Sequence, residues 1–376
     1  MREVWGRPIL HSEHHLSRDA SQRMRLEVDV EGDETLGLLI SLEPDIATCS
    51  QTRLSELVLP HLTKKALSRH SRPTWLCMEK CLRGQRVFLK YSVCANLALL
   101  YSSLIGGFSA PLITRVLDAT GYLTKKNRDA VWGRLLDTFH MVLSCIEFDD
   151  ALEVGGAGWT SVVFVRMLHS RVRRRILSNT LEPWPVDVAG LPLNQMDMLA
   201  TLLSFSINVI DVIERLGCAV SREEQLDYLH LWRYIGFLIG VHTSHLECLE
   251  TPESAKGALE SLVQLLLTPT SRSGEIAKNI LESVASRPPL RWSFSFHSAI
   301  SRELLGHPLA DALCISKTGC FDWICLRLFL LLVRLAVYLL PSDERSTARK
   351  RIMLRKLLVS QQLSLASSSR GGCPHA

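Results

Sequence analysis

From Leu54 almost to the end of the chain, apolar residues recur at spacings of three and four, with Gly and Pro between segments and hardly any strict alternation. That is the pattern of packed amphipathic helices, not of sheet. It predicts helices over 84–105, 109–119, 125–146, 158–178, 194–216, 222–241, 253–267, 274–285, 297–304 and 321–340. Ser221 followed by Glu224 is a capping box that opens one of them, and Gly217 closes the helix before it. No repeat of 30–45 residues runs through the chain, which disfavours a helical solenoid. The expected fold class is all-α, a single large helical domain. Residues 1–50, polar and weakly patterned around the acidic run Asp29 to Glu34, are expected to form a variable N-terminal arm. A helical domain over 51–360 and a polar C-terminal tail over 361–376 complete the expected organisation.

Composition narrows the function classes. At 376 residues, 47% apolar and 22% charged, the chain can bury a full core. A net charge of +5 is small for this size and lacks the concentrated basic face of a nucleic-acid protein, so no nucleic-acid partner is expected. Eleven cysteines at irregular spacings do not form a disulfide framework. Cys77 and Cys81 have no second Cys or His pair at zinc-site spacing. The cysteines are therefore expected to be reduced, most of them buried. Met1 to Arg25 carries His, Glu and Arg throughout and resembles no signal peptide, so an intracellular location is expected.

The main chemical signal lies in Trp159 to Arg173. At about 100° per residue, Val162, Arg166, His169, Arg173 and Ile176 fall on one stripe, while Arg171, Arg174 and Arg175 face elsewhere. A buried Arg needs an anion, which haem propionates or protein carboxylates could supply. A His flanked by two arginines is pushed toward its neutral form, the form that binds a metal or haem iron. On pattern alone His169 is either such a ligand or a hydrogen-bonded core histidine. The next helix aligns Asp197, Thr201, Ser204, Asn208 and Asp211 along a narrow arc, either a solvated face or a pocket lining.

The segment 320–340 is very apolar yet holds Asp322, Arg327 and Arg334, charges that disfavour a membrane span. A core helix with one polar stripe is one reading. The other is a helix at a membrane surface, helped by the basic tract Arg345, Arg349, Lys350, Arg351, Arg355 and Lys356.

The run from Arg166 through His169 to Arg173 resembles the Arg-x-x-His-x-x-x-Arg signature of the rubber oxygenase (latex-clearing protein) catalytic-domain family, which includes the ER-bound fungal oxygenase mpaB. Further fragments agree in order: Arg83-Gly84-Gln85 with Phe88 and Tyr91; Gly106-Gly107-Phe108 with Pro111; Thr120-Gly121-Tyr122-Leu123; Arg134 with Asp137-Thr138; Gly155-Gly156; Pro192 with Asn194-Gln195; Trp232-Arg233 with Gly236; and Leu305-Gly306 with Leu309-Ala310-Asp311. The resemblance covers about residues 73–340. It implies a b-type haem (iron) in a globin-like helical core, with His169 as the proximal ligand and metal-binding residue. It further implies that Arg166, Arg173, Arg134 and His230 surround the cofactor, and that Thr138 and Thr201 lie near it. Asp137 stands where bacterial members carry a lysine able to reach the iron, so distal lysine ligation is not carried over. Asp118 falls loosely near a proposed acidic base.

The implied reaction is haem-dependent cleavage of a C=C bond by dioxygen in an apolar, prenylated or terpenoid substrate of fungal-type secondary metabolism. Location at the cytoplasmic face of the ER membrane, with peripheral contact through 320–358, is part of the same expectation. Two alternatives stand beside it, a haem oxidase or hydroxylase of the same fold and a non-enzymatic helical binding protein. A hydrolase is disfavoured, since the chain has neither a Gly-x-Ser-x-Gly elbow nor a His-Glu-x-x-His zinc motif.

Overall fold

The computed structural model describes residues 2–9, 12–62, 72–120, 127–340 and 343–370. The Gly121-Tyr122-Leu123 fragment and residues 371–376 lie outside them. A two-stranded antiparallel hairpin (β1 Arg2–Val4, β2 Arg7–Ile9) precedes nineteen α-helices among the described residues. They are α1 Arg18–Met24, α2 Val30–Leu42, α3 Gln51–Leu62, α4 Met78–Lys90, α5 Ser92–Leu97, α6 Pro111–Thr120, α7 Arg128–Ser144, α8 Ala157–Leu177, α9 Val186–Ala189 and α10 Gln195–Phe205. After these come α11 Ile207–Arg215, α12 Arg222–Ile239, α13 Thr243–Leu246, α14 Pro252–Leu266, α15 Ser271–Val284, α16 Phe294–Leu305, α17 His307–Ala312, α18 Cys320–Leu339 and α19 Glu344–Arg370. The fold is all-α, as the spacing predicts.

Helix starts follow local chemistry. Ser221 and Glu224 form the reciprocal capping box on α12, Asn127 accepts from the first amides of α7, and Asn194 caps α10. Each satisfies backbone donors that the first turn leaves open. The core runs continuously through α4, α5, α7, α8 and α10 to α16 and is anchored by the buried rings of Phe88, Tyr91, Tyr101, Tyr228 and Tyr234. α4 lies along α12, and α8 packs on α2, α7 and α12.

Three differences from the expected elements have physical causes. The segment read as one helix over 84–105 bends by 85° between α4 and Ser92–Ile105. At the bend Tyr91 is buried and its hydroxyl donates to the Ala219 carbonyl at 2.6 Å, a tertiary contact that no local pattern encodes. Beyond α5, residues Ala98–Ile105 wind as a π-helix. The helix read over 194–216 breaks at Ser206, whose hydroxyl donates to Leu202 O at 2.9 Å. Its polar arc is neither wholly solvated nor an open pocket lining. Asn208 is buried and bonds Ser102 at 3.2 Å and Ser103 at 3.1 Å on the π-helix.

Residues 18–47, expected in the arm, contain α1, α2 and a 3-10 turn, and α2 packs on α8. Residues 361–370 continue α19, and Gln361 is buried, donating to Pro288 O at 2.9 Å. α18 is not the buried core helix of the first reading. Leu326, Leu330 and Val333 are its buried residues, whereas Phe321, Ile324, Leu328, Leu331, Leu332, Leu335 and Leu339 are exposed. Arg327 forms a bidentate pair with Glu303 at 2.8 and 2.9 Å, and Arg334 donates to the Leu216 carbonyl. The described cysteines are unpaired thiols; Cys81, Cys94, Cys145 and Cys218 are buried, while Cys314 and Cys320 are exposed.

Candidate active site

α8 enters through a tight turn, where a Cβ on Gly156 would lie 2.6 Å from the Ala151 and Asp150 carbonyl oxygens. From there the helix carries its cationic stripe inward. Val162, Arg166, Arg173 and Ile176 are buried, and His169 is half-buried between the two arginines. The anions they require come from α2. Arg166 holds Asp29 through two hydrogen bonds of 2.6 Å each, in the planar fork geometry that suits guanidinium and carboxylate. It also reaches Glu31 at 3.1 Å. Arg173 pairs with Asp33 and donates to the Pro192 and Leu193 carbonyls at 3.2 and 3.1 Å. Of the two anion sources expected, protein carboxylates take the place.

Asp29 does two jobs at once. Its Oδ1 accepts from the Gly32 amide at 3.0 Å and so caps α2 while Arg166 holds the same carboxylate. Space for it depends on Gly240, the left-handed C-cap of α12 at φ 96°, where a Cβ would sit 2.3 Å from Asp29 Oδ2. Gln195 closes the cluster by donating to Gly240 O at 3.0 Å and accepting from the His242 amide at 2.9 Å.

His169 differs from its neighbours. Its Nδ1 is buried and has no hydrogen-bond partner. Buried polar atoms nearly always have one, so an orphan calls for an explanation. Burial first, and then the positive field of Arg173, push the imidazole down to about 4, with the Asp29 charge opposing. His169 is therefore neutral at physiological pH and has a nitrogen lone pair available, the donor chemistry that a haem iron requires. The residues present fit such a group, with His169 as the side chain able to hold it.

The remaining predicted residues are distributed. Arg134 and Asp137 are 3.4 Å apart on α7, and the Thr138 hydroxyl donates to Arg134 O at 3.3 Å. Partial burial pushes the Asp137 carboxyl up, and Arg134 opposes it. Thr201 is exposed on α10 and donates to Asp197 O at 2.8 Å. One turn back, Asp197 is buried, with Oδ2 accepting from Asn194 at 2.9 Å and Oδ1 unpartnered; burial pushes its carboxyl up to about 7. His230 accepts from the Cys77 amide at 3.0 Å and stands edge-on to Trp75, in a separate cluster beneath α4. Asp118 is exposed and held by Arg272 at 2.6 Å. The geometry thus joins Arg166, His169 and Arg173 into one unit and Arg134, Asp137 and Thr138 into another, and leaves Asp118 in a surface ion pair.

The catalytic-domain model of the ER-bound oxygenase mpaB/B′ and rubber oxygenase family matches residues 92–335. The chain belongs to this family. It is accordingly an oxygenase, an oxidoreductase, and the reading of it as a non-enzymatic binding protein is set aside. The match contains the α7, α8, α10 and α12 residues described above, while Asp29, Glu31 and Asp33 precede it. Among solved structures this mpaB/rubber-oxygenase chain is similar to the latex clearing protein LCP in its closed state. The two share 18% identity at a TM-score of 0.64, over 89% of this chain and 91% of that one. At that identity the likeness establishes the shared all-α fold. No curated protein sequence matches the chain.

Sequence reasoning missed Asp29, Glu31 and Asp33 as partners and Asp197 as a carboxyl that titrates near neutrality. A usable signal existed for the first set. Asp29 and Asp33 are one turn apart and so share a helix face, as do Arg166 and Arg173 at two turns.

Proposed function

We propose that the chain is a haem-dependent oxygenase that cleaves a C=C bond of an apolar, prenylated or terpenoid alkene with dioxygen, and that His169 holds the iron of a b-type haem. The observation that carries this reading is the buried, partnerless Nδ1 of a neutral His169 set within the family's Arg-x-x-His-x-x-x-Arg run.

Bound haem would supply the activation of dioxygen. The protein's own residues do the rest. Arg166 and Arg173, neutralised by Asp29 and Asp33, lock α8 against α2 and so fix the height and rotation of His169. Burial, with the positive field of Arg173 adding to it, keeps the ring unprotonated and thus able to ligate. Asp197, its carboxyl pushed up to about 7 by burial, can exchange a proton near neutral pH, and its neighbour Thr201 presents a hydroxyl lone pair, its own proton being committed to Asp197 O. Asp137, in place of a lysine, leaves its helix without a cationic side chain at that position.

An apolar substrate dissolved in lipid has to be reached. The outward apolar face of α18 and the exposed basic residues Arg345, Arg349, Arg355 and Lys356 of α19 support peripheral docking on an anionic membrane, such as the cytoplasmic face of the ER. Among the described residues, the stretch Gln195–Arg215, formed by α10 and α11, is long and apolar enough to cross a bilayer, but 72% of its apolar window is buried inside the fold.

The visible spectrum of the purified protein beside His169→Ala tests the cofactor. A Soret band in the parent that is lost or displaced in the variant is expected; a parent that stays colourless after incubation with hemin overturns the reading. Product analysis with a prenylated alkene then separates cleavage, which yields two carbonyl fragments, from hydroxylation, which yields one alcohol.

A further inference from the structure

Outside the His169 cluster, a second group of donor side chains converges where the segment before α2 meets the end of α12. Glu27, His242 and His245 place one carboxylate oxygen and two ring nitrogens within 4.8 Å of one another. His245 Nε2 lies 2.8 Å and His242 Nδ1 3.7 Å from Glu27 Oε2. The two rings stack at 5.6 Å with 21° between their planes, because His242 opens α13 and His245 follows three positions later.

We propose that Glu27, His242 and His245 form a binding site for a divalent transition-metal ion, with Zn²⁺ as the best-suited occupant. Three observations carry it. First, ligands of one tetrahedral ion bound at about 2.0–2.2 Å stand roughly 3.3–3.6 Å apart, and the observed 2.8 and 3.7 Å straddle that spacing. Second, the far nitrogen of His242 donates to the Val28 carbonyl at 3.1 Å. A backbone carbonyl on the second nitrogen is the arrangement that fixes the tautomer and aim of a metal-bound histidine, and here it leaves the Nδ1 lone pair facing Glu27. Third, the backbone beneath the three residues is already tied. Gln195 N donates to Glu27 O at 2.9 Å, while its side chain accepts from the His242 amide at 2.9 Å. Such preorganisation lowers the ordering cost of capturing an ion. All three side chains are partly exposed, so an ion can enter and a water can take the fourth position. With two imidazoles and one carboxylate, the donor set suits Zn²⁺ better than Mg²⁺ or Ca²⁺, which prefer oxygen.

The consequence is mechanical. Glu27 lies two residues before Asp29, so an ion held between Glu27 and the histidines clamps the start of α2 onto the end of α12, where Asp29 meets Arg166. The proposal does not depend on haem at His169.

The test is equilibrium dialysis of the full-length, chelator-stripped protein against Zn²⁺, followed by elemental analysis, with wild type compared with Glu27→Gln and His242→Asn. Wild type is expected to retain one more zinc per chain than either variant, with at least tenfold weaker binding in each variant. Addition of Zn²⁺ should raise the thermal midpoint of wild type alone. Glu27→Gln keeps a hydrogen-bond acceptor toward His245, so the fold survives and the comparison holds; circular dichroism checks that. Equal zinc in wild type and both variants, which would place the metal on thiols, overturns the proposal, as does no zinc in wild type.

Discussion

Arg166 and Asp29 are 137 positions apart in sequence, yet they share two hydrogen bonds of 2.6 Å with both side chains 5% exposed. A charge pair this buried gains little net stability when intact, because desolvation consumes most of the attraction. Breaking it is another matter. Asp29→Ala removes two charge-assisted hydrogen bonds from a buried guanidinium that still reaches the half-exposed Glu31, and it uncaps α2 in the same step. Such a loss costs about 3–5 kcal/mol, to which the cap adds about 1. Urea denaturation should show a drop of that order, and a loss below about 1 kcal/mol would mean that water replaces the carboxylate.

Gly240→Ala probes the same contact from the other side. At φ 96° an alanine is strained, and its Cβ would press on Asp29 Oδ2 at 2.3 Å and Arg166 Nε at 2.9 Å. The left-handed backbone alone costs roughly 1 kcal/mol. Displacement of the ion pair should bring the total above about 2 kcal/mol, with a Soret band weakened in parallel if α8 sets the His169 ring. Gly37, where a Cβ meets nothing within 4 Å, is the control: Gly37→Ala should be neutral or stabilising.

How much of this was legible from the residues follows a physical divide. Helix periodicity is local, so eight of the ten predicted segments reappear with shifted ends, the other two being divided near Tyr91 and Ser206, and the α8 stripe that buries Arg166 and Arg173 could be drawn from spacing alone. Partners are not local. Asp29 and Asp33 sit in a stretch whose apolar pattern is weak, because α2 pairs with α8 through charges as well as through Leu36 and Leu39. The break at Tyr91 was equally invisible, since it depends on a carbonyl 128 positions away. Periodicity could not separate a core α18 from a surface α18 either, because three buried leucine and valine positions suffice to hold the helix while the rest of its apolar residues face outward.

Asp197 gives the fold a pH dependence of known sign. Its carboxyl is raised from 3.8 to about 7 by burial, so the folded state holds the proton more tightly than the unfolded chain. Stability from this group is complete below about 4 and is lost as pH rises toward 7, by up to about 1.4 kcal/mol per pH unit. His169, His230 and His297, each depressed to about 4, act in the opposite direction, removing stability as pH falls below 6.5. Asp197→Asn isolates the first contribution. Its stability relative to wild type should grow from pH 4 to pH 7 in paired denaturation curves, and a constant offset across that range would show that Asp197 is already ionised in the fold.

The outward face of α18 separates stability from location. Leu328 is 57% exposed and Leu332 64%, so Leu328→Ser and Leu332→Ser remove little buried area and should each change the unfolding free energy by no more than about 0.5 kcal/mol. If the face docks on lipid, the same pair of changes should lower flotation with phosphatidylserine-containing vesicles by tenfold or more, since each leucine taken into the acyl boundary contributes on the order of 1.5–3 kcal/mol. High salt should weaken the wild-type interaction through the exposed arginines and lysine of α19, and weaken it less in vesicles without anionic lipid. Wild type that stays in the soluble fraction at low salt, with no flotation, would show that α18 meets a protein partner or solvent and that the substrate arrives by another route.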